Sequence, residues 1–207
     1  SVLCPPVSPD MVSPMKKLLA IIILSLCFTS LSQADDISDF QIEGISIGDS
    51  LLDYFGEEDI LSSKRNYVKN KKFYVVYHPK YSEIKNYDIV DFYLKRNDKK
   101  YKIYAINGIT EYKSLEKCKK KKDEIIKEIS NLFENLKPES YTKKHEFDKS
   151  GKSKQIISSW YFNSGDHVRV ECTVWSKKIK TEHEYTDNLS IVIVKKEVED
   201  WMRGGYK

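Results

Sequence analysis

Six segments of the chain are rich in valine, isoleucine and aromatic residues, and several of them alternate apolar with polar positions. Segments of this kind are typical of β-strands. The predicted strands comprise residues 72–78, 87–95, 101–106, 155–163, 167–175 and 189–195. The Ser-Gly-Asp stretch at 164–166 predicts a tight turn around Gly165, so the fourth and fifth strands are expected to form a hairpin.

A helical pattern lies between the third and fourth predicted strands. Ser114 can cap its N-terminus, and Pro138 ends it. The apolar positions that recur at helical spacing are Leu115, Cys118, Ile125, Ile126, Ile129, Leu132, Phe133 and Leu136. The spacing predicts an amphipathic helix of about 23 residues with Cys118 on its buried stripe.

Shorter helices are predicted before the first strand and after the last strand. Asp49 and Ser50 offer capping oxygens for a short first helix that resumes at 57–62, and residues 197–207 form a short last helix that can dock through Trp201. We therefore expect an α+β fold with the order β-β-β-α-β-β-β between these helices. Its antiparallel sheet has about six strands, and its helices pack on one face.

The N-terminal region has the three-part layout of a secretory signal. Two lysines follow Met15, an apolar run covers 18–28, and small or polar residues continue to Ala34. The apolar run is too short to span a bilayer. We expect a signal peptide at 15–34 and cleavage between Ala34 and Asp35, which leaves one α+β domain at 35–207.

The proline-rich residues 1–14 do not resemble a segment that precedes a signal peptide. They are interpreted as a non-native upstream extension, with Met11 or Met15 as the true start. Cys27 raises a second interpretation, a lipoprotein tethered through that cysteine, but the bulky Leu26 before it fits a lipidation signal poorly. The favoured expectation is a periplasmic or secreted protein without a transmembrane segment in the mature chain.

Cys118 and Cys172 are the two cysteines that follow the predicted cleavage site. In the fifth predicted strand, Cys172 shares a face with Val168, Val170 and Val174 and is expected to point inward. Both cysteines would then lie where the long helix packs on the sheet, and an oxidising compartment favours a disulfide between them. The alternative is two separate buried thiols that act as small apolar residues.

The charge composition excludes some partners. The 207 residues carry a formal charge of +4, and only four of the 35 basic residues are arginines. Nucleic-acid binding is disfavoured, because arginine is the residue that phosphate and base recognition prefers. The lysine run of the long helix is interpreted as a solvated face or as a weak contact with an anionic membrane surface; it comprises Lys119, Lys120, Lys121 and Lys122.

Motifs for catalysis or metal binding are not found in the sequence. The histidines show no ligand spacing; they are His78, His145, His167 and His183. The chain contains no Cys-x-x-Cys pair, no Gly-x-Ser-x-Gly elbow and no phosphate-binding glycine loop. No catalytic residue, metal ligand or cofactor is therefore predicted, and the sequence favours a non-catalytic protein.

Residues 42–55 resemble the opening of exported envelope proteins of the SmpA/BamE type, through Ile45, Ile47, Gly48, Ser50 and Leu52. The whole chain resembles uncharacterised short secreted proteins of Gram-negative bacteria, which implies export and no particular activity. Two functions remain. One is a periplasmic interaction or envelope-accessory module that binds an envelope protein. The other is a small-ligand-binding protein or enzyme with a pocket between the long helix and the sheet.

Overall fold

A computed structural model describes residues 37–65, 71–133 and 136–205. The predicted upstream extension, the signal peptide, Cys27 and the cleavage site between Ala34 and Asp35 lie outside the described residues. No helix within these three ranges is long and apolar enough to cross a membrane.

The described residues contain ten strands and four α-helices. The strands are β1 Gln41–Ile42, β2 Ile45–Ser46, β3 Lys64–Arg65, β4 Phe73–Tyr77, β5 Ile89–Lys95, β6 Ile103–Glu111, β7 Glu139–Lys144, β8 Lys154–Tyr161, β9 His167–Val174 and β10 Asn188–Val194. The helices are α1 Glu57–Ser62, α2 Leu115–Leu132, α3 Lys177–His183 and α4 Lys196–Gly205. Short 3-10 turns cover Ile37–Asp39, Leu51–Asp53 and Tyr81–Glu83.

Eight strands form one antiparallel sheet in the order β3-β4-β5-β6-β10-β9-β8-β7, and β1 pairs with β2 in a separate hairpin. The predicted α+β class is confirmed, and each of the six predicted strands forms one of the six inner strands. The two edge strands, β3 and β7, were not predicted. Most of β7 is exposed and polar, so its sequence lacks the apolar alternation by which a strand is recognised.

The first face of the sheet carries the main hydrophobic core, which α2 and the N-terminal segment cover. The hydroxyl of Ser114 accepts a hydrogen bond from the backbone N–H of Lys117, as expected of the helix cap. The helix ends at Leu132, before the predicted Leu136. Phe133 leaves the helical conformation and its ring stacks on Phe40 at 4.8 Å within the core.

The second face is covered at one end by α4, which corrects the expectation that all helices pack on one face. Val198 and Trp201 of α4 pack with Phe73 and Val194 of the sheet. The rings of Phe73 and Trp201 lie 5.5 Å apart. Where α4 covers the second face, side chains on both faces of the central strands are buried.

A disulfide joins Cys118 of α2 to Cys172 of β9, as the sequence predicts. The two Cα atoms lie 6.1 Å apart, within the usual range for this bond. The bond fastens α2 to the first face and fits an oxidising compartment.

Candidate ligand-binding cleft

A cleft of about 360 Å³ opens on the second face of the sheet. Its floor consists of β5, β6, β10 and β9, one end is closed by α4, and the far wall is built from residues 143–147, Trp175 and residues 184–186. The long helix α2 lies on the opposite face. The cleft is therefore not the pocket between α2 and the sheet that the sequence suggested.

One row of residues that pair across neighbouring strands, called the cross-sheet row below, runs along the floor of the cleft. Strand pairing places Tyr77, Asp91, Asn107, Val192 and Arg169 next to one another in that order. All five side chains point to the second face, since residues on one side of a pleated sheet line up across the strands. Strand register thus places Asp91, Asn107 and Arg169 on the floor of the cleft.

Asp91 and Asn107 form the polar centre of the floor. The amide nitrogen of Asn107 donates to Oδ2 of Asp91 at 3.3 Å. Asp91 is 5 % exposed, and its Oδ1 and the Oδ1 of Asn107 have no hydrogen-bond partner among the described residues. Burial raises the pKa of Asp91 to about 7 against the opposing effect of the Asn107 bond, so this carboxyl can take up or release a proton near neutral pH.

Arg169 is the centre of a second, self-contained polar group. Its Nε lies 3.0 Å from Oε2 of Glu171, and its Nη1 donates to Oε2 of Glu199 at 3.0 Å. Gln155 donates to Glu171 at 2.9 Å, and Arg203 donates to Glu199 at 3.1 Å. This network ties α4 to β9 and β8.

The network also controls the ionisation of its members. Burial opposes the charge of Arg169, but the two glutamates outweigh that effect and raise its pKa. Burial alone would likewise raise the pKa of Glu199, whereas Arg169 and its other cationic neighbours lower it to about 2. The two residues are therefore charged throughout the neutral range, and their charges compensate each other.

Aromatic rings form the far wall of the cleft. Trp175 lies 5.0 Å from the ring of Tyr185 and 4.3 Å from that of His145, and Phe147 lies 5.8 Å from Tyr185. Burial lowers the pKa of His145 to about 4, so its ring is neutral at physiological pH. The wall therefore presents flat, uncharged ring faces.

Two aspartates hold this wall in place. Asp148 accepts hydrogen bonds from the hydroxyl and the backbone N–H of Ser153, at 2.6 and 3.0 Å, and these bonds lower its pKa. The hydroxyl of Ser153 in turn accepts from the N–H of Ser176, which follows Trp175. Asp187 accepts from the N–H of Trp175 at 2.8 Å and pairs with Lys180 at 2.7 Å. The aromatic wall is thus anchored through the backbone on both sides.

The four histidines lie in different parts of the molecule. His145 and His183 belong to the aromatic wall or its border, and the ring of His183 lies 5.1 Å from Phe147. His167 is buried beneath Tyr161, while His78 contacts Phe55 on the first face. Within the described part of the chain, no group of three or more His, Cys, Asp or Glu side chains is arranged to hold a metal ion.

The lysine run divides into an outer and an inner part. Lys119 and Lys120 are exposed, and Lys121 pairs with Glu124 at 3.2 Å. Lys122 is only 5 % exposed and its Nζ donates to Ser158 at 2.8 Å under α2. Lys122 therefore does not belong to the surface proposed for a membrane contact, because the helix turns it toward the sheet.

The polar floor of the cleft was missed by sequence reasoning. The alternation in β9 places Arg169, Glu171 and Thr173 on the face opposite Cys172, but it does not show that these three side chains are buried as well. A usable signal was the charged Asp91 inside the otherwise apolar run from Ile89 to Leu94. A charged residue in the middle of an inner strand requires either a partner or a cavity.

Comparison with known proteins finds no matching family model, no matching curated protein and no matching solved structure.

Proposed function

We propose that this chain is an exported small-ligand-binding protein whose ligand occupies the cleft on the second face. The observation that carries the proposal is the pair of buried acceptors, Oδ1 of Asp91 and Oδ1 of Asn107, at the floor of the cleft. Buried polar atoms without a partner are costly, and a bound ligand that donates hydrogen bonds removes this cost. The volume of about 360 Å³ lies within the range of small-molecule sites.

Export is part of the proposal and has its own test. It is supported by the signal-like layout at 15–34 and by the disulfide between Cys118 and Cys172. Intact-mass analysis of the exported protein is expected to show a chain that starts at Asp35. A diacylglyceryl group on Cys27 would instead identify a lipoprotein.

Binding is tested by a fragment screen against the purified chain, with a variant that fills the cleft. Ser190 lies on the floor beside Glu171 and is 4 % exposed, so Ser190→Phe places a ring inside the cleft. The matched control is Ser62→Phe, at an exposed position of α1 outside the cleft. Fragments are expected to bind the native chain and the control and to lose binding to Ser190→Phe. Equal binding to all three proteins would place the ligand site elsewhere.

A protein-interaction role is the second candidate, and a different surface favours it. Leu52, Tyr54 and Leu61 are 41 %, 39 % and 49 % exposed and lie in the N-terminal segment, outside the cleft. Exposed apolar side chains are common at interfaces with other proteins. Cross-linking in the exported fraction, with these three residues changed to serine as the control, tests this role; loss of a specific cross-linked partner would support it.

A further inference from the structure

We infer that the ligand of the cleft is an organic cation, with an ammonium group that contacts Asp91 and an apolar or aromatic body that lies toward the far wall. The inference rests on the proposed function and specifies the class of ligand. It depends on the hydrogen-bonding character of the floor, on the charges of the cleft and on the nature of the wall.

The free hydrogen-bonding atoms at the centre of the floor are acceptors. Asn107 already uses its amide nitrogen on Oδ2 of Asp91, and neither its own oxygen nor Oδ1 of Asp91 has a partner among the described residues. An ammonium group carries three donors and no acceptor, so it suits a floor whose unpartnered atoms are oxygens. Once Asp91 is ionised, a carboxylate or phosphate at this position would place acceptor against acceptor.

The charges of the cleft also favour a cation. Arg169 and Arg203 are balanced by Glu171 and Glu199 within their network. Outside that network, the cleft is lined by one lysine and four acidic residues, which are Asp91, Glu111, Glu146 and Glu184. The cleft is therefore acidic, although the chain as a whole has a formal charge of +4.

The aromatic wall suits the remainder of such a ligand. The rings of Trp175, Tyr185 and Phe147 supply flat apolar surface, and an aromatic face attracts a nearby cation. Tyr77, which pairs with Asp91 across β4 and β5, adds a further ring beside the carboxyl. The cleft thus offers a counter-ion at its floor and rings at its border.

Proton release provides a signature of this arrangement. Asp91 has a pKa of about 7 in the empty cleft because it is buried, and a bound cation favours its ionised form. The neighbouring groups do not change their charge between pH 5.5 and 8. Ion pairing shifts the pKa values of Arg169, Arg203 and Glu199 away from this range, and Glu171 is paired with Arg169. Burial keeps His145 neutral, with a pKa of about 4, and raises the pKa of Tyr77. Cation affinity is therefore expected to rise with pH across this interval through Asp91.

The test uses three probes with the same aromatic body and different charge: tyramine, tyrosol and 4-hydroxyphenylacetate. Affinities are measured by NMR titration of the purified chain at pH 5.5 and pH 8, alongside Asp91→Asn and the exposed control Asp53→Asn. We expect tyramine to bind at least about 10-fold more tightly than tyrosol at pH 8, with the anion weakest. The preference is expected to be smaller at pH 5.5, absent in Asp91→Asn and unchanged in Asp53→Asn.

Other outcomes separate this inference from the proposed function. Tyrosol or 4-hydroxyphenylacetate binding in the cleft as tightly as tyramine would overturn the cation inference and leave a ligand-binding cleft. Spermidine extends the panel to an aliphatic ammonium ion, and choline, whose quaternary nitrogen has no N–H, shows whether positive charge without hydrogen-bond donors is enough. If none of the three cations shifts the resonances of cleft residues at millimolar concentration, the inference is wrong, and the fragment screen with Ser190→Phe decides the proposed function independently.

Discussion

Asp91 and Arg169 lie in the same cross-sheet row and are both buried, but Asn107 and Val192 stand between them. Three strand spacings separate their backbones by about 14 Å, too far for an ion pair. Arg169 instead pairs with Glu171 and Glu199, and Asp91 bonds to Asn107. One buried charge is therefore compensated within the protein, whereas the other is left facing the cleft.

Asp91 is expected to destabilise the empty protein at neutral and alkaline pH. Its pKa is raised from 3.8 to about 7, so the folded state retains the proton that the unfolded state loses first. Asp91 by itself should lower the free energy of unfolding by on the order of 4 kcal/mol as pH rises from about 4 to about 7. Burial lowers the pKa of His145 and His167 to about 4, which acts in the opposite direction over this range, so the contribution of Asp91 is the difference between the native chain and Asp91→Asn. Urea unfolding of the native chain and of Asp91→Asn checks this.

The Asp91→Asn variant should be more stable than the native chain at pH 8 and similar to it at pH 4. Asp53→Asn, at an exposed position, is the matched control and should follow the native pH profile. An Asp91→Asn variant whose stability relative to the native chain does not increase between pH 4 and pH 8 would show that Asp91 is not a buried carboxyl with a raised pKa.

Arg169→Met is expected to cost about 3–5 kcal/mol at pH 7, because it leaves Glu171 buried without a cation and Glu199 with only the exposed Arg203. In the native chain, the pKa of Glu199 is lowered to about 2, so its pairing stabilises the fold above pH 4.5 and is lost as pH falls toward 2. The deficit of the variant should therefore shrink as the medium is acidified.

Arg203→Met provides the comparison for that experiment. Arg203 pairs with the other oxygen of Glu199, but its side chain is 57 % exposed. The expected loss is below about 1 kcal/mol, since solvent screens exposed ion pairs. Equal losses in the two variants would contradict the central role assigned to Arg169.

Lys122→Met is expected to stabilise the protein by about 1 kcal/mol or more at pH 7. Burial lowers the pKa of Lys122, which donates to the hydroxyl of Ser158 beneath α2, and methionine fills similar space without a charge. In the native chain this destabilisation is relieved as pH rises toward 10.5, so the variant should lack that part of the pH dependence.

Lys120→Met on the exposed side of the same helix is the control and should leave the unfolding free energy unchanged. Thermal unfolding of the three proteins at pH 7 and pH 10 makes the comparison. A Lys122→Met variant less stable than the native chain would mean that the lysine makes a net favourable contribution to the packing of α2.

Replacing both Cys118 and Cys172 by alanine is expected to lower the free energy of unfolding by about 4 kcal/mol. The bond closes a loop of 54 residues, and the estimate follows from the chain entropy that such a loop removes from the unfolded state. Urea unfolding with and without reductant measures it, and the double variant should be insensitive to reductant. Peptide mapping that finds two freely alkylated thiols in the native protein would rule the bond out.

Local features of the sequence predicted most of the framework. The six inner strands, the capped helix α2 and the Cys118–Cys172 bond follow from apolar periodicity, from Ser114 and from inward-facing positions, all of which are encoded within short segments. The edge strand β7 was not predicted, because it forms by backbone pairing with β8 while its side chains remain exposed and show no apolar alternation.

The cleft depended on tertiary structure. The sequence could show that Arg169 and Glu171 alternate with Val168 and Val170, but the face of the sheet that α4 covers is determined by where Val198 and Trp201 dock. The distance between Asp91 on β5 and Arg169 on β9 depends on the strand order. That order places β6 and β10 between these two strands, which are far apart in the chain. Periodicity reports which residues share a face, whereas only packing determines whether that face meets solvent, a helix or a ligand.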